Sequence, residues 1–475
     1  MTTLLTDRPV HALPPARFEG LVDEESWSRT TAAMERAGEL LRGRAVWNVT
    51  SRARSGGVVE LVSSLTALAR GAGIDARWEV IDAGDDFFHF AKRLHNNLHG
   101  RNGDGEAYGD AERRIYEEAL GERLHLVELV APGDVVVLHD PQTAGLTPLL
   151  KEAGAQVIWR CHVGLDSPND LTRRAWRFLG PYLERADAFV FSRPQFLWED
   201  MDRGRAHVIR PSLNPLSPKN QELDPGTVDA ILAVTRLQPD GPLGDTSFVR
   251  LDGTPGRVDR TVSLAEDEPL PPDVPLLLQV SHWNHLKDPV GVVQMFAEEV
   301  APECEAHLVI AGPDIAGVGD EPEARDVYQQ TLSARERLDR PARSRVHIAT
   351  VPIDDPEESA ATINALQRRA AVALQKSRGE GFGMTVLEAM WKGRPTVCSR
   401  VGGLQEQVID GVTGYLLDPG DQRGAGRRIV ELVADPRLRQ RMGAAGHARV
   451  RSEFLLPREG AEWVDLLNDV VGREH

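Results

Sequence analysis

The chain has 475 residues, 41% of them hydrophobic, and a formal net charge of −17 at neutral pH. That length suits two large domains rather than one core, and the apolar content excludes a disordered chain. The acidity argues against a nucleic-acid-binding surface, so an anionic ligand would need a local basic site.

Short β-branched or apolar runs alternate with helical stretches along the chain. Arg44–Val49 reads as a strand, followed by S-R-A-R-S-G-G and then the helical period of V-V-E-L-V-S-S-L-T-A-L-A-R. Ala76–Ile81, Asp134–His139, Gln156–Trp159 and Ala188–Ser192 are further strands. Residues 235–273 are rich in Pro, Gly and Asp, with little apolar periodicity, and read as a linker or a surface insertion. The alternation then resumes with strands at Leu276–Ser281, His307–Ala311, Val346–Thr350, Val372–Gln375 and Thr396–Ser399. Helices fit between them, notably Val290–Val300 and Thr385–Lys392, and G-A-E-W-V-D-L-L-N-D-V-V near the end is an amphipathic helix. Buried strands separated by helices imply parallel sheets with crossovers. The expected division is an N-terminal domain over 1–273, a C-terminal domain over 274–452, and a helix over 453–475 packing back across the junction.

Cys161, Cys304 and Cys398 are odd in number and far apart. They suit neither a disulfide framework nor a zinc site, and a cytoplasmic location is expected. The N-terminus lacks a basic region followed by an apolar core, so no secretory signal is expected. No apolar run approaches the ~18 residues of a membrane span. N-V-T at 48–50 fits a glycosylation sequon, without meaning in a cytosolic protein.

Ligands of open parallel sheets bind beyond the carboxyl ends of the strands, and the polar candidates fall there. Gly56-Gly57 follows the first strand, where paired glycines let backbone approach a ligand; a plain tight turn is the alternative. His139-Asp140-Pro141-Gln142 and Arg160-Cys161-His162 each close a strand, which raises the odds of a cleft over purely structural histidines. Asn96 and Asn97 offer amides suited to hydroxyl-rich ligands, or serve a loop or cap. Ser281-His282-Trp283-Asn284-His285-Leu286-Lys287 follows a strongly apolar strand, and Lys287 is either a phosphate-binding point charge or a solvated loop lysine. In G-E-G-F-G-M-T-V-L-E-A-M-W (379–391), Glu380 sits in a glycine-rich loop and Glu388 about one turn inside the following helix. The amides of Phe382, Gly383, Met384 and Thr385 would face the ligand at the positive helix end.

E-G-F-G-M-T-V-L-E-A-M-W-K-G-R-P, with V-G-G-L-Q-E-Q-V-I-D-G-V-T-G-Y-L-L after it, resembles the donor-binding domain of retaining GT-B glycosyltransferases of the glycogen- and sucrose-synthase-like family. S-G-G-V-V-E-L, H-N-N-L-H-G, L-H-D-P-Q-T-A-G-L, W-R-C-H-V-G-L-D and I-R-P-S-L-N-P-L-S-P-K-N are similar to the trehalose glycosyltransferring synthases within it. The resemblance runs from about residue 44 to 450, interrupted by 235–273.

It implies an α/β fold of two Rossmann-like domains facing across a cleft. The activity it implies is retaining transfer of glucose from a nucleotide-diphosphate-glucose to glucose, giving α,α-trehalose by same-face attack. By the same resemblance Glu380, His162 and Lys287 are catalytic. Donor contacts fall to Gly56, Gly57, His282, Lys287, Phe382, Gly383, Met384, Thr385 and Glu388, with Glu388 on the ribose hydroxyls and Lys287 on the diphosphate. Asp140, Gln142, Asn96 and Asn97 fall on the acceptor side. No cofactor or metal, no nucleic acid and no membrane insertion are expected, and a homodimer stays open. Family members commonly carry an arginine where this chain has His282. That departure keeps open a transferase of secondary metabolism moving a sugar or cyclitol-like donor to another polar acceptor. A non-catalytic nucleotide-sugar binder is the reading from outside the enzyme class.

Overall fold

The computed structural model describes residues 10–51, 56–81, 83–102, 108–121, 124–315 and 323–472. The expectation about the extreme N-terminus, and residues 52–55 of the first loop, lie outside that description. The chain divides into two compact units. One is built from the residues up to Ser212 and those from Phe454 onward, the other from Leu213–Glu453.

The first unit holds a six-stranded parallel sheet of β1 (Val46–Ser51), β2 (Ala76–Ile81), β3 (Val135–His139), β4 (Gln156–Cys161), β5 (Ala188–Phe191) and β6 (Ala206–Val208). Its order is β2-β1-β3-β4-β5-β6. Every residue of β3, β4 and β5 is buried, which is why V-V-V-L-H and A-F-V-F are continuous apolar runs instead of alternating ones. The chain steps outward from β1 to β2 and then returns to β1's other side with β3. The switch point between β1 and β3 therefore gathers the loops after both strands.

The C-terminal helix, Leu456–Val471, completes this unit. Trp463, Leu466, Leu467 and Val470 pack on Val135, Ile158 and Val190 of the sheet. Glu459 enters the core with them: its carboxylate lies 2.9 Å from the Arg160 guanidinium of β4, and both side chains are almost wholly buried. Ser212 Oγ donates to the same carboxylate at 2.6 Å.

The second unit has a hairpin of β7 (Ser247–Val249) and β8 (Pro255–Arg257), and a seven-stranded sheet. The sheet's strands are β9 (Ser263–Ala265), β10 (Leu276–Val280), β11 (His307–Pro313), β12 (Val346–Val351), β13 (Val372–Gln375), β14 (Thr396–Ser399) and β15 (Gly414–Leu417). The order is β15-β14-β13-β10-β11-β12-β9, with only the edge strand β9 antiparallel among these pairings. Its switch point lies between β10 and β13. The helix expected over Val290–Val300 is α-helical over Pro289–Met295 and widens to a π turn over Phe296–Val300.

The expected boundary at 273 moves to about 212. Residues 213–273 are neither a linker nor part of the first domain. β9 pairs with β12, and Phe248, Val258, Val262 and Leu270 are buried with Leu276, Val309 and Leu366 of the second unit. Arg250 adds an ion pair to Asp355 at 2.6 Å. Of the two readings of 235–273, the linker is the one that fails: the stretch is folded and anchored by a few well-spaced apolar residues.

Candidate active site

In the second unit, the β10–β13 switch point brings together two loops that are 93 positions apart in sequence. Lys287 comes from the loop after β10, Glu380 from the loop after β13. The Lys287 ammonium donates to both carboxylate oxygens of Glu380, at 2.7 and 2.6 Å. Ser377 Oγ and Gln375 Nε2 also donate to Glu380 Oε2, at 3.2 and 3.3 Å. The lysine loop is held by its own contacts: Asn284 Oδ1 accepts the Lys287 amide at 3.1 Å, and Gln279 Nε2 donates to the Lys287 carbonyl at 3.1 Å.

The glutamate loop is shaped by glycine. Gly383 has φ +92° and caps the helix Met384–Trp391, a backbone conformation unfavourable to other residues. Gly402 of V-G-G lies so close that an added Cβ would stand 1.7 Å from the Glu380 carbonyl oxygen. Gln407 Nε2 donates to the Phe382 carbonyl at 2.6 Å. The second glycine turn of the sequence thus clamps the first, and the amides of Met384 and Thr385 open the helix.

Glu388 lies inside that helix and is only 1% exposed. Gln367 Nε2 donates to it at 3.0 Å, and the Lys219 ammonium stands 3.5 Å from its other oxygen. Lys392, one turn further along, donates to the Glu388 carbonyl and to Asn220 Oδ1. Burial pushes the Lys392 ammonium down to about 7, against the pull of the Glu388 charge. Lys219 and Asn220 belong to S-P-K-N, so this stretch meets Glu388 and Lys392 within the second unit. His282 is half-buried and His285 exposed. Arg378 is exposed and donates to Asp288 at 2.8 Å, beside Lys287 in sequence.

In the first unit, the carboxyl ends of β3 and β4 carry a second cluster. His139 Nδ1 and His162 Nε2 are 3.1 Å apart, with ring planes within 7° of parallel. Burial, reinforced by the Arg160 charge, holds His139 down to about 3. Burial, with Arg160 and His139, holds His162 well below the ordinary imidazole range. Both rings are therefore neutral at pH 7. Asp140 has φ +63°, unusual outside glycine, and its Oδ1 accepts the His162 amide at 2.8 Å. Burial lifts its carboxyl to about 7, opposed by that amide and by Arg160. Gln142 Oε1 is buried with no partner among the described residues, an orphaned acceptor next to Asp140.

Gly56 stands after β1 at φ +115°, just before the helix Gly57–Gly71. Its Cβ position is open space, so backbone conformation alone demands the glycine. Asn96 is half-buried near the end of the helix Asp85–Leu98. Asn97 is engaged at both ends: Tyr108 Oη donates to its oxygen at 2.7 Å, and its nitrogen donates to the Arg101 carbonyl at 2.9 Å. It ties down the turn after its helix.

Two separate groups therefore form, Lys287 with Glu380 in one unit and Asp140 with His162 in the other. Three supporting residues were not singled out from sequence, Asn48, Gln375 and Lys219, and His139 was named there as a strand-end histidine without a role. Asn48 Oδ1 lies 3.1 Å from His139 Nε2. The signal for His139 was its place at a strand end beside Asp140. Asn48 carried only a sequon, which pointed elsewhere. Among the described residues, no group of three or more His, Cys, Asp or Glu forms a metal-sized cluster. No described helix is long and apolar enough to cross a membrane.

Residues 48–198 match the family model "Trehalose synthase, N-terminal domain", and residues 263–449 match "Glycosyl transferases group 1". The chain is 30% identical over 455 residues to a trehalose synthase of Pyrococcus horikoshii, covering 96% of each chain. The chain belongs to the trehalose synthase family of glycosyltransferases. A trehalose synthase of Rubrobacter xylanophilus is 33% identical to this family member over 434 residues, covering 89% of this chain and 90% of that one. Among solved structures, an α,α-trehalose-phosphate synthase (UDP-forming) from Burkholderia vietnamiensis superposes with a TM-score of 0.64 at 13% identity, over 91% of this chain and 98% of that one. At that identity the likeness speaks for the fold, which is GT-B with Rossmann-like units. The family settles the enzyme class as a trehalose-related glycosyltransferase.

Proposed function

We propose that the protein moves glucose, with retention, from a nucleotide-diphosphate-glucose to free glucose, forming α,α-trehalose. The observation that carries this reading is the Lys287–Glu380 pair beside Met384–Trp391, in a chain of the trehalose synthase family. A fixed ammonium and a helix N-terminus suit a diphosphate. Glu380 then orients the sugar, and buried Glu388 accepts ribose hydroxyls.

In the proposed step the bond from the anomeric carbon to the diphosphate oxygen breaks. The acceptor hydroxyl oxygen bonds to that carbon on the same face, and its proton passes to the departing diphosphate. No protein nucleophile takes part. Lys287 and the helix amides offset the charge growing on the leaving group. His162, kept neutral, adds no positive charge beside an oxocarbenium-like carbon. Asp140, Gln142 and Asn96 are assigned to the acceptor, and Gly56-Gly57 to close backbone approach. The reading needs no metal, so a chelator should leave turnover unchanged.

The test is incubation with UDP-, GDP- or ADP-glucose plus glucose, with NMR of the product. An α,α-1,1 disaccharide from one or more donors is the expected result. No disaccharide from any of them would overturn the reading. His282, in place of the family's common arginine, favours one second reading, a retaining transferase with a different donor or acceptor. It predicts nucleotide release with other polar acceptors and none with glucose.

A further inference from the structure

Asn48 and His139 have no part in the step above, yet both are wired to a residue that does. Asn48 lies on β1 and His139 ends β3, its neighbour at the switch point, so strands 91 positions apart in sequence place the two side chains in contact. The contact continues from His139 Nδ1 to His162 Nε2 on β4's end, again at 3.1 Å.

The direction of this chain of bonds follows from Asn48 presenting its oxygen to the His139 ring. An amide oxygen only accepts, so Asn48 Oδ1 takes the hydrogen of His139 Nε2. A neutral imidazole carries one ring hydrogen, so His139 Nδ1 holds a lone pair and accepts from His162 Nε2. His162 Nδ1 is then the nitrogen left with a lone pair. Reversing any one link would set two donors or two acceptors face to face in a buried place, at a cost of about 1–3 kcal/mol. The Arg160 charge acts on both rings, and it is itself matched by Glu459. Asp140 accepts from the His162 backbone amide.

We infer that Asn48 is a positioning residue: through His139 it holds the ring hydrogen of His162 on Nε2, and so makes His162 Nδ1 an acceptor for a hydroxyl of the transferred sugar. This rests on the reading that His162 stands beside that sugar. The N-V-T triplet thereby gains an internal use, with its asparagine spent on a histidine.

The test compares Asn48→Leu with Asn48→Asp at pH 8, where an aspartate still accepts but cannot donate. Asn48→Leu should lower kcat about 10- to 100-fold, in the range for a lost outer-shell partner, with donor KM little changed. Asn48→Asp should restore most of kcat. In 15N-histidine-labelled protein, His162 should show the Nε2–H tautomer in the native chain and in Asn48→Asp, and a mixture in Asn48→Leu. Native kcat in Asn48→Leu, equal impairment of both variants, or an unchanged tautomer would each overturn the inference. His162→Ala separates the two levels. Its loss of turnover beside a fully active Asn48→Leu removes only the relay. Native turnover in His162→Ala removes the role of His162 itself.

Discussion

The two units share one architecture and stock it oppositely. Both place their candidate residues at the switch point of a parallel sheet. In the second unit the switch point holds opposite charges in contact, Lys287 and Glu380, with further donors around the carboxylate. In the first it holds two neutral imidazoles and a carboxyl lifted to about 7. A site for a diphosphate must supply fixed charge, whereas a site for uncharged sugar hydroxyls needs hydrogen-bonding groups and suffers from stray charge. Under the proposed function the charged group serves the diphosphate and the neutral one the sugar hydroxyls, both at strand ends of parallel sheets.

The contrast breaks most sharply at Lys287. Lys287→Ala should cut turnover about 1,000-fold, the scale of losing a main stabiliser of leaving-group charge. Steady-state kinetics checks this, and near-native turnover would remove the lysine from the charged pole. The neutral pole depends on a charge that is hidden and compensated. Glu459→Ala would strand the buried Arg160 guanidinium, destabilising the first unit by about 3–5 kcal/mol. Denaturant unfolding measures it, and a loss under ~1 kcal/mol, as for an exposed pair, would show that the guanidinium is not stranded.

The smallest expected effect concerns Asp140. Its carboxyl is neutral below about 7 and ionised above, and a carboxylate accepts a sugar hydroxyl more strongly. The acceptor KM should therefore fall as pH rises through 7, by about fivefold for one strengthened hydrogen bond. Asp140→Asn should flatten that dependence. Stability runs the other way. The folded value lies above the ordinary 3.8, so the native state holds the extra proton, and this residue's contribution declines as pH climbs from about 4 to 7.

Much of this was legible because buried parallel strands are written as uninterrupted apolar runs. Val372–Gln375 and Thr396–Ser399 match β13 and β14 residue for residue. Lys287 and Glu380 could be singled out because each lies in the loop after such a strand. The domain border could not, since only four buried apolar residues tie 240–273 into the second unit's core, amid prolines and glycines. Three-residue strands such as β6 and β9 are too short to show a period. Asn97 offered the right chemistry, and only the fold reveals that Tyr108 and Arg101 use both its ends. The Asn48–His139 contact joins different strands, and nothing local to either residue announces it.

The burial of Glu459 on Arg160 also bears on how the molecule is made. The second unit is one continuous stretch, Leu213–Glu453, and has all its residues before the last helix is synthesised. The first unit begins the chain but lacks the helix that covers its sheet until the ribosome reaches Val471. The usual order has the N-terminal domain finish folding first, whereas here the first unit cannot be completed before the last helix exists. Until the final helix arrives, Arg160 lacks the counter-charge it has in the finished fold.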